Sequence, residues 1–484
     1  MNKIKIGLFA IVLTTFFSSC QKYLDVNSNP NSPTDVPPNV LLPNTSMGIG
    51  WANANVIGLA TGLIMQYNAA IPTQWQSYDV YALDGSFGNQ WNYEIYNGCL
   101  NNLVLLISKT NSTSPAYSGI AKIQKAYIMA MATDLWGDVP YSQAGQGLTY
   151  PQPRFDKQED IYKGNSALGI QGLIDLTKEG LADLDKASVL TPSSDDLVYG
   201  GSLVKWKRAA NSLLLKLAIQ LTNVDKPTAK SLINSVIAGN LYINDNSLDL
   251  NVPFSSSVSN QNPAYVRDIS GSFKNNECLS SRFLTLMRSL NDTVRLAKFY
   301  TKPNNVFTAY TNGNNTTAPT AASRSVYNTY VVGTTGEAPA RLITNFQTQF
   351  ILAEAALVLG TTGDANTYYQ NGIKASMKLA GMLDAEINNY FTTNPTVVNL
   401  AGTQDDQLKQ IITQKYIAWT GNGYESYNDY RRTGYPVLTL PLNAAGDDPT
   451  SVPKRFPYIA TEGNSNPNQP NPRVKTNVKV WWGQ

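Results

Sequence analysis

Residues 415–436 read KYIAWTGNGYESYNDYRRTGYP and combine aromatic rings with two arginines. The rings are those of Tyr416, Trp419, Tyr424, Tyr427, Tyr430 and Tyr435. A cluster of this kind either grips a planar ligand or packs inside a scaffold. Thr403 and Asp406 resemble a capping box, so the first part of the stretch continues a helix that starts there. We therefore expect Arg431 and Arg432 to bind helix-end carbonyls, or acids such as Glu425 and Asp429, rather than a ligand.

Apolar residues recur at helical spacing in several other segments of the chain. The clearest are residues 119–138, 203–221 and 345–360, and Asp364 is placed to cap a partner for the third of them. Weaker candidates are residues 92–109 and 159–187. Helix pairs of about 34 residues are typical of tetratricopeptide-like stacking. We predict a mainly α fold, in which tetratricopeptide-like helix pairs form a scaffold.

Three long polar stretches separate these helices, at residues 243–277, 301–340 and 441–475. They are rich in Asn, Thr, Ser, Gly and Pro. Loops of this length in a compact protein are usually functional. The scaffold is therefore expected to carry elaborate loops.

The N-terminus has the pattern of an export signal: a short basic start, an apolar run from Ile6 to Phe17, and small residues before Cys20. We predict a lipoprotein signal peptide over 1–19, lipid attachment at Cys20, a lipidated tether over 20–40 and one helical domain over 41–484. The alternative is an ordinary secretory signal with a structural thiol nearby. The apolar run is shorter than the roughly 20 residues that span a bilayer, and no transmembrane helix is expected.

Composition excludes several classes of function. Charged residues make up 15% of the chain and the formal net charge is +3, without a basic patch for nucleic acid. The chain has no histidine, which removes Ser-His-Asp and Cys-His catalysis and histidine metal sites. We expect neither a cofactor nor a metal. Cys99 and Cys278 either pair or remain buried free thiols, the second being the simpler expectation.

Six motifs resemble, in order, those of the SusD/RagB-like outer-membrane lipoproteins of Bacteroidetes. They are DLWGDVPYSQA (134–144), WKRAANSLLLKLAIQL (206–221), NFQTQFILAEAALVLG (345–360), GNGYESYNDYRRTGYP (421–436), RFPYIATEGNSNPN (455–468) and TNVKVWW (476–482). The resemblance implies a SusD-like helical domain in which tetratricopeptide-like helix pairs support a long-loop, irregular ligand-binding face. The same resemblance implies that this domain is anchored in the outer membrane by lipid and faces the cell exterior. It also implies a non-catalytic protein that captures oligosaccharide, or peptide in the RagB branch, for a SusC-like TonB-dependent β-barrel transporter.

The ligand-binding residues have to come from the sequence itself, because no family motif identifies them. A sugar site needs an aromatic face flanked by amides or carboxylates. Residues 71–91 offer this combination, and we predict ligand contacts from Trp75, Tyr78, Asp79, Tyr81 and Trp91. The alternative for both tryptophans is packing between helices. A second candidate surface carries Tyr300, Tyr310, Tyr327 and Tyr330.

A carboxylate-based glycosidase is the remaining enzymatic hypothesis. Asp134 and Asp138 form the closest acidic pair, but Gly137 is expected to end the helix between them. Turn and capping roles are the better interpretation of this pair. The Asp- and Asn-rich loops at 84–89 and 244–249 do not match the twelve-residue calcium loop, and ordinary turns explain them.

Overall fold

The computed structural model describes residues 36–483 of the chain. The predicted mainly α fold is confirmed. The longer helices are α1 (Pro38–Ala54), α2 (Val56–Ile64), α3 (Asn101–Thr110), α4 (Pro115–Trp136), α5 (Leu173–Asp183), α6 (Leu203–Gln220), α7 (Lys226–Gly239), α8 (Ser281–Ser289), α9 (Asn345–Leu359), α10 (Ala365–Leu379), α11 (Asp384–Thr393), α12 (Gln404–Ala418) and α13 (Gly423–Thr433).

Shorter elements lie between them. One-turn and two-turn helices occur at Gln76–Asp79, Gln158–Lys163, Pro263–Tyr265, Thr293–Phe299, Thr329–Val332, Pro395–Val398 and Ala460–Ser465, and π-helical turns at Gln90–Leu100 and Val266–Ser270. Three two-stranded antiparallel ladders pair β1 (Asn68–Ala70) with β5 (Glu277–Leu279), β2 (Val139–Pro140) with β3 (Phe155–Asp156), and β4 (Leu250–Val252) with β6 (Ala340–Ile343). The polar stretches predicted as loops hold only such short pieces.

Helix pairs form the scaffold, as predicted. Helix α4 packs on α5, α6 on α7, and α9 on α10. The α9–α10 hairpin follows the expected local chemistry: Gly360 ends α9 with a φ of +61°, and Asp364 Oδ1 accepts a hydrogen bond from the Thr367 amide at 2.7 Å. Helix α12 packs on both α9 and α10, and this group encloses a hydrophobic cluster of its own beside the main core.

The first two helices lie in the core. Residues Pro38–Ile64 are long and apolar enough to cross a membrane, yet 61% of their most apolar window is buried inside the protein. Helix α1 packs on α3, and α2 packs on α13. Because α1 begins at Pro38, residues 38–40 at the end of the segment predicted as tether belong to a helix. The predicted signal peptide and Cys20 lie outside the described residues.

The stretch 415–436 belongs to the scaffold. The capping box is present: Thr403 Oγ1 accepts from the Asp406 amide at 3.2 Å, and Asp406 Oδ2 accepts from the Thr403 amide at 3.0 Å. Arg431 is buried, stacks on Tyr427 with its guanidinium carbon 4.0 Å from the ring centre, and donates to the carbonyl of Asp134 near the end of α4. Its predicted role as a partner of helix-end carbonyls is confirmed.

Buried ion pairs connect α13, which lies within this stretch, to three other helices. Arg432 donates to both carboxylate oxygens of Glu354 on α9 and, at 2.9 Å, to Asp429. Lys415 on α12 also donates to Asp429, at 2.9 Å. The prediction that Glu425 pairs with an arginine is wrong: Lys216 on α6 binds it at 2.8 Å, and Gln347 on α9 donates to it at 2.7 Å.

Asp134 is a buried acceptor rather than a capping or turn residue. Its Oδ1 accepts from the hydroxyl of Tyr162 and the indole of Trp482, and its Oδ2 accepts from Tyr424 and Asn428. Asp138 accepts from the backbone amide of Gln158 at 3.0 Å, as a helix-start acceptor does. Cys99 and Cys278 are buried free thiols.

Candidate functional site

The five predicted ligand residues lie in the protein interior. Tyr81 and Trp91 are each 1% exposed, and Asp79 is fully buried. Trp75 and Tyr78 lie just beneath the surface, where their rings stack at 6.1 Å and Phe273 covers the Trp75 edge at 5.1 Å. In this arrangement other side chains cover the rings of Trp75 and Tyr78. A ligand role for these two residues stays a prediction, and it requires Phe273 to move.

Asp79 has a structural environment. Its carboxylate accepts from Asn312 Nδ2 and from the Gly313 amide, both at 2.6 Å. Burial raises the pKa of Asp79 to about 7, against the opposing effect of these hydrogen bonds. The residue thereby fastens the short helix at 76–79 to the loop that contains residue 313.

The second candidate surface is also buried. Tyr300, Tyr310, Tyr327 and Tyr330 are at most 9% exposed. Tyr300 donates to the carbonyl of Tyr67 at 3.0 Å, and Tyr310 donates to the carbonyl of Thr316 at 2.7 Å. Tyr300 also donates to Asn68 Oδ1 in β1 at 2.9 Å, so it fixes the start of this loop to β1, whereas Tyr310 stabilises the turn at residues 310–316.

The described surface does contain a region with the chemistry that a sugar requires. Two hollows lie on opposite sides of the short helix Ala460–Ser465, and we call them together the amide cleft. The Tyr150 hollow has a volume of about 310 Å³, and the Arg473 hollow one of about 560 Å³. Ala460, Gly463 and Asn464 face the Arg473 hollow, whereas Glu462 and Ser465 face the Tyr150 hollow, as the helical repeat dictates.

Aromatic side chains form the floor and one rim of the Tyr150 hollow. Trp91 is tilted against Tyr96 at 4.9 Å and meets Trp136 edge to face at 5.3 Å, so its position is fixed. Tyr150 stands at the rim with 40% of its surface exposed. Tyr458 lines the other hollow; burial raises its pKa to about 12, and its hydroxyl donates to the carbonyl of Asp138 at 2.7 Å.

Amide side chains supply most of the polar lining. Those lining the Tyr150 hollow are Asn92, Asn97, Asn101 and Asn466, and those lining the Arg473 hollow are Asn464, Asn466, Gln469 and Asn471. Gln469 Oε1 is buried and has no hydrogen-bond partner within residues 36–483. A Cβ on Gly463 would lie 2.6 Å from Gln469 Nε2, so glycine at this position leaves room for the amide.

The charged groups of the cleft are already engaged. Arg473 pairs with Asp84 and, at 2.9 Å, with Asp447. Glu462 Oε1 accepts from Asn466 Nδ2 at 2.9 Å. Arg473 is balanced by Asp84, and Glu462 adds one negative charge, so the surface offered to a ligand is polar and aromatic and does not favour an anion, which suits hydroxyl and acetamido groups.

Hydrogen bonds hold the dividing helix in place. Asn466 Nδ2 donates to the carbonyl of Pro153 at 2.7 Å, Asn468 Nδ2 to that of Gln152 at 2.9 Å, and Gln152 Nε2 to that of Ser465 at 3.2 Å. The loop 151–153 and the loop after the helix thus brace one another. A preorganised wall lowers the entropy that a ligand must lose on binding.

Only part of this site follows from the sequence. Trp91 and the segment 84–85 belong to the predicted region 71–91, whereas Tyr150 and residues 460–473 were not predicted as ligand contacts. The available signal was the run NSNPNQPNP at 464–472, whose amides and prolines predict a rigid polar loop. Nothing local in the sequence places Tyr150 beside that loop.

Comparison with known proteins agrees with the fold. A family model described as SusD-like, starch-binding and associating with the outer membrane matches residues 30–459. A chitin-binding SusD homologue from Flavobacterium johnsoniae is 23% identical, with a TM-score of 0.74 over 92% of this chain and 96% of its own. A SusD homologue from Bacteroides uniformis is 22% identical, with a TM-score of 0.75 over 93% of this chain and 100% of its own.

A third structure, described as a chitin-binding protein, is 23% identical and has a TM-score of 0.77 over 93% of this chain and 100% of its own. No curated protein matches the chain. The family match covers most of the sequence, and the helix pairs, long loops and ordered motifs described above agree with it. The chain belongs to the SusD-like family of starch-binding proteins that associate with the outer membrane.

Proposed function

We propose that the protein is a lipid-anchored, cell-surface binding protein that holds a neutral oligosaccharide in the amide cleft. The observation that carries this proposal is the combination of three features: the exposed ring of Tyr150, a lining of side-chain amides, and an arginine, Arg473, that already pairs with Asp84. Family membership supports a glycan, and the two chitin-binding structures favour N-acetylhexosamine units. The acetamido groups of such units match the amide lining.

We further propose that Cys20 carries the lipid and that the captured sugar passes to a SusC-like TonB-dependent barrel. The resemblance of the motifs and the export signal support this step. Purification of the native protein in mild detergent should bring a large β-barrel with it. Recovery of the lipoprotein alone from intact outer membranes would contradict the partnership.

The protein is proposed to bind without turnover. The carboxylates of the cleft hold Arg473 and Asn466, and Asp134 accepts four hydrogen bonds in the interior. A glycosidase needs one acid free to donate a proton and a second free to assist. Incubation with chitin and starch oligosaccharides should therefore leave them intact, whereas shortened products would show that the protein is an enzyme.

The binding proposal is tested by calorimetry of the full-length chain with a panel of chitin, starch and other neutral oligosaccharides. Tyr150→Ala should weaken binding of the preferred sugar about tenfold, because it removes the exposed stacking face. Tyr93→Ala is the matched control, since Tyr93 is 67% exposed and lies outside the cleft lining. Equal losses in both variants, or binding of peptides but no glycan, would overturn the proposal, and the second result would support a RagB-type peptide carrier.

A further inference from the structure

A third hollow, which shares no lining residue with the amide cleft, lies between the start of α9, one face of α10 and the turn at residues 244–246. Its volume is about 710 Å³. We call it the lysine pocket, because Lys374 and Lys378 are among its lining residues. Its lining contains no aromatic ring, which distinguishes its chemistry from that of the amide cleft.

Gln349 provides the first indication that the pocket takes a ligand. The side chain lines the pocket and the residue is 7% exposed. Its Nε2 donates to Asn345 Oδ1 at 3.3 Å, whereas Oε1 has no partner within residues 36–483. A buried carbonyl oxygen without a donor is unfavourable, so this oxygen is suited to a ligand that brings a hydroxyl group.

Neighbouring amides are already fixed in position. Asn345 Nδ2 donates to Asn246 Oδ1 at 3.1 Å, and Asn246 Nδ2 donates to the carbonyl of Ala375 at 3.0 Å. The Asn345 backbone amide is held by Asp249 Oδ1 at 2.7 Å. The polar wall is therefore preorganised, and a ligand does not have to order it.

The charges of the pocket favour an anion. Lys374 and Lys378 lie one turn apart on α10. Asp245 is the opposing carboxylate in the lining. Its Oδ1 accepts hydrogen bonds from the Ser247 backbone amide at 2.9 Å and from the Ser247 hydroxyl at 2.7 Å. Two ammonium groups against one carboxylate leave one positive charge.

Both lysines remain available to a ligand. Lys378 Nζ lies 3.6 Å from Asp384 Oδ1, but both side chains are more than 60% exposed, and such pairs are weak. Lys374 Nζ lies over the Phe391 ring at 4.8 Å, a contact that keeps the side chain in place without neutralising its charge.

We propose that the lysine pocket is a second ligand site, selective for a sugar acid: a hydroxyl-bearing ring with one carboxylate. The lysines bind the carboxylate, and Gln349 Oε1 and the fixed asparagines bind ring hydroxyls. This inference rests on the contacts of α9 and α10, independently of what the amide cleft binds.

The test is calorimetric titration of the full-length chain with glucuronate. Glucose is the control that has the hydroxyl groups without the charge, and acetate is the control that has the carboxylate without the ring. Glucuronate should bind saturably, and glucose and acetate at least about tenfold more weakly, because each lacks one half of the recognised chemistry. The double variant Lys374→Gln/Lys378→Gln should lose about tenfold in glucuronate affinity. Lys409→Gln, which changes an exposed lysine on α12 outside the pocket, should lose none.

Gln349→Met separates a ligand role from a structural one. Methionine has a similar volume and lacks the unpartnered oxygen, so the variant should melt at the same or a higher temperature yet bind glucuronate several-fold more weakly. Tyr150→Ala should leave glucuronate binding unchanged, which distinguishes this site from the amide cleft. The proposal is overturned by absence of glucuronate binding, by binding that persists in the double-lysine variant, or by glucose binding as tightly as glucuronate.

Discussion

Asp249 is a buried carboxyl group that couples stability to pH. Its Oδ1 accepts from the Asn345 amide at 2.7 Å, and its Oδ2 has no partner within residues 36–483. Burial raises its pKa to about 8, against the opposing effects of the Asn345 hydrogen bond and the charge of Arg341. The folded protein therefore holds a proton that the unfolded chain releases near pH 4.

The sign of the pH dependence follows from that difference. Between about pH 4 and pH 8 the carboxyl group of Asp249 is protonated in the folded state and ionised in the unfolded state. The contribution of Asp249 to the free energy of unfolding therefore falls as the pH rises. Asp79, with a pKa of about 7, and Glu94, with one of about 6, act in the same direction. The substitution Asp249→Asn keeps an oxygen that accepts the hydrogen bond from the Asn345 amide, and it removes the titrating carboxyl group.

We expect Asp249→Asn to reduce the loss of stability between pH 5 and pH 9 by about 1 kcal/mol or more, measured by urea unfolding across that range. Asp175→Asn, an exposed substitution on α5, is the control and should keep the slope of the parent. An unchanged slope in Asp249→Asn would show that the group is ionised in the folded protein.

Residue identity alone did not separate binding rings from packing rings. Amides and carboxylates flank Trp75, Tyr78 and Tyr81 in the sequence, as they flank the aromatic residues of a sugar-binding site. These three side chains are nevertheless buried, because loops distant in sequence cover them. Phe273, which lies against Trp75, is nearly 200 positions away along the chain. Exposure of an aromatic side chain depends on such long-range contacts, and a local pattern does not contain them.

At the scale of the element, the α9–α10 hairpin depends on a close approach at Gly372. An added Cβ there would lie 2.8 Å from the Phe350 ring. Phe350 is fully buried, so the ring has little room to retreat. Glycine is therefore required by packing, although alanine would be the better helix former.

We expect Gly372→Ala to lower the free energy of unfolding by about 1–3 kcal/mol, since overpacking outweighs the gain in helix propensity. The matched control is Gly239→Ala in the last residue of α7, where an added Cβ meets no atom within 4 Å. That variant should be neutral or stabilised by up to about 1 kcal/mol. Chemical denaturation of both variants checks the pair, and a stable Gly372→Ala protein would show that the helices can separate without cost.

The ends of the helices were the part of the fold that could best be predicted from the sequence. Apolar periodicity, Gly137, Gly360, Asp364 and the Thr403 box act within a few residues, and the structure confirms each of them. The segment 92–109 was predicted as helix, but its first part belongs to a π-helix, Gln90–Leu100. The widened turn spaces side chains differently from an α-helix, and periodicity analysis does not detect it.

At the scale of the whole molecule, buried ion pairs join four helices. Arg432 and Asp429 on α13, Glu354 on α9 and Lys415 on α12 form one network, and a separate pair joins Lys216 on α6 to Glu425 on α13. All of these side chains are at most 6% exposed. Removing one member leaves an uncompensated charge in the interior, which is strongly unfavourable.

We expect Arg432→Ala to cost about 3–5 kcal/mol of stability, because Glu354 loses its ionic partner and Asp429 retains only Lys415. Arg288→Ala, in an exposed position on α8, should cost less than about 0.5 kcal/mol. Thermal and urea unfolding of the two variants measure the difference. A fully stable Arg432→Ala protein that had lost glycan binding would assign the arginine to a ligand instead of to the scaffold.

Asp134 also has a consequence for the order in which the molecule folds. Its carboxylate on α4 accepts one of its four hydrogen bonds from Trp482, which lies 348 residues further along the chain. Contacts of such separation form late and slow the search for the native state. The hydrogen-bonded centre of the scaffold therefore cannot close before residue 482 has been synthesised, so a chain that stops short of Trp482 leaves the Asp134 carboxylate without its indole donor.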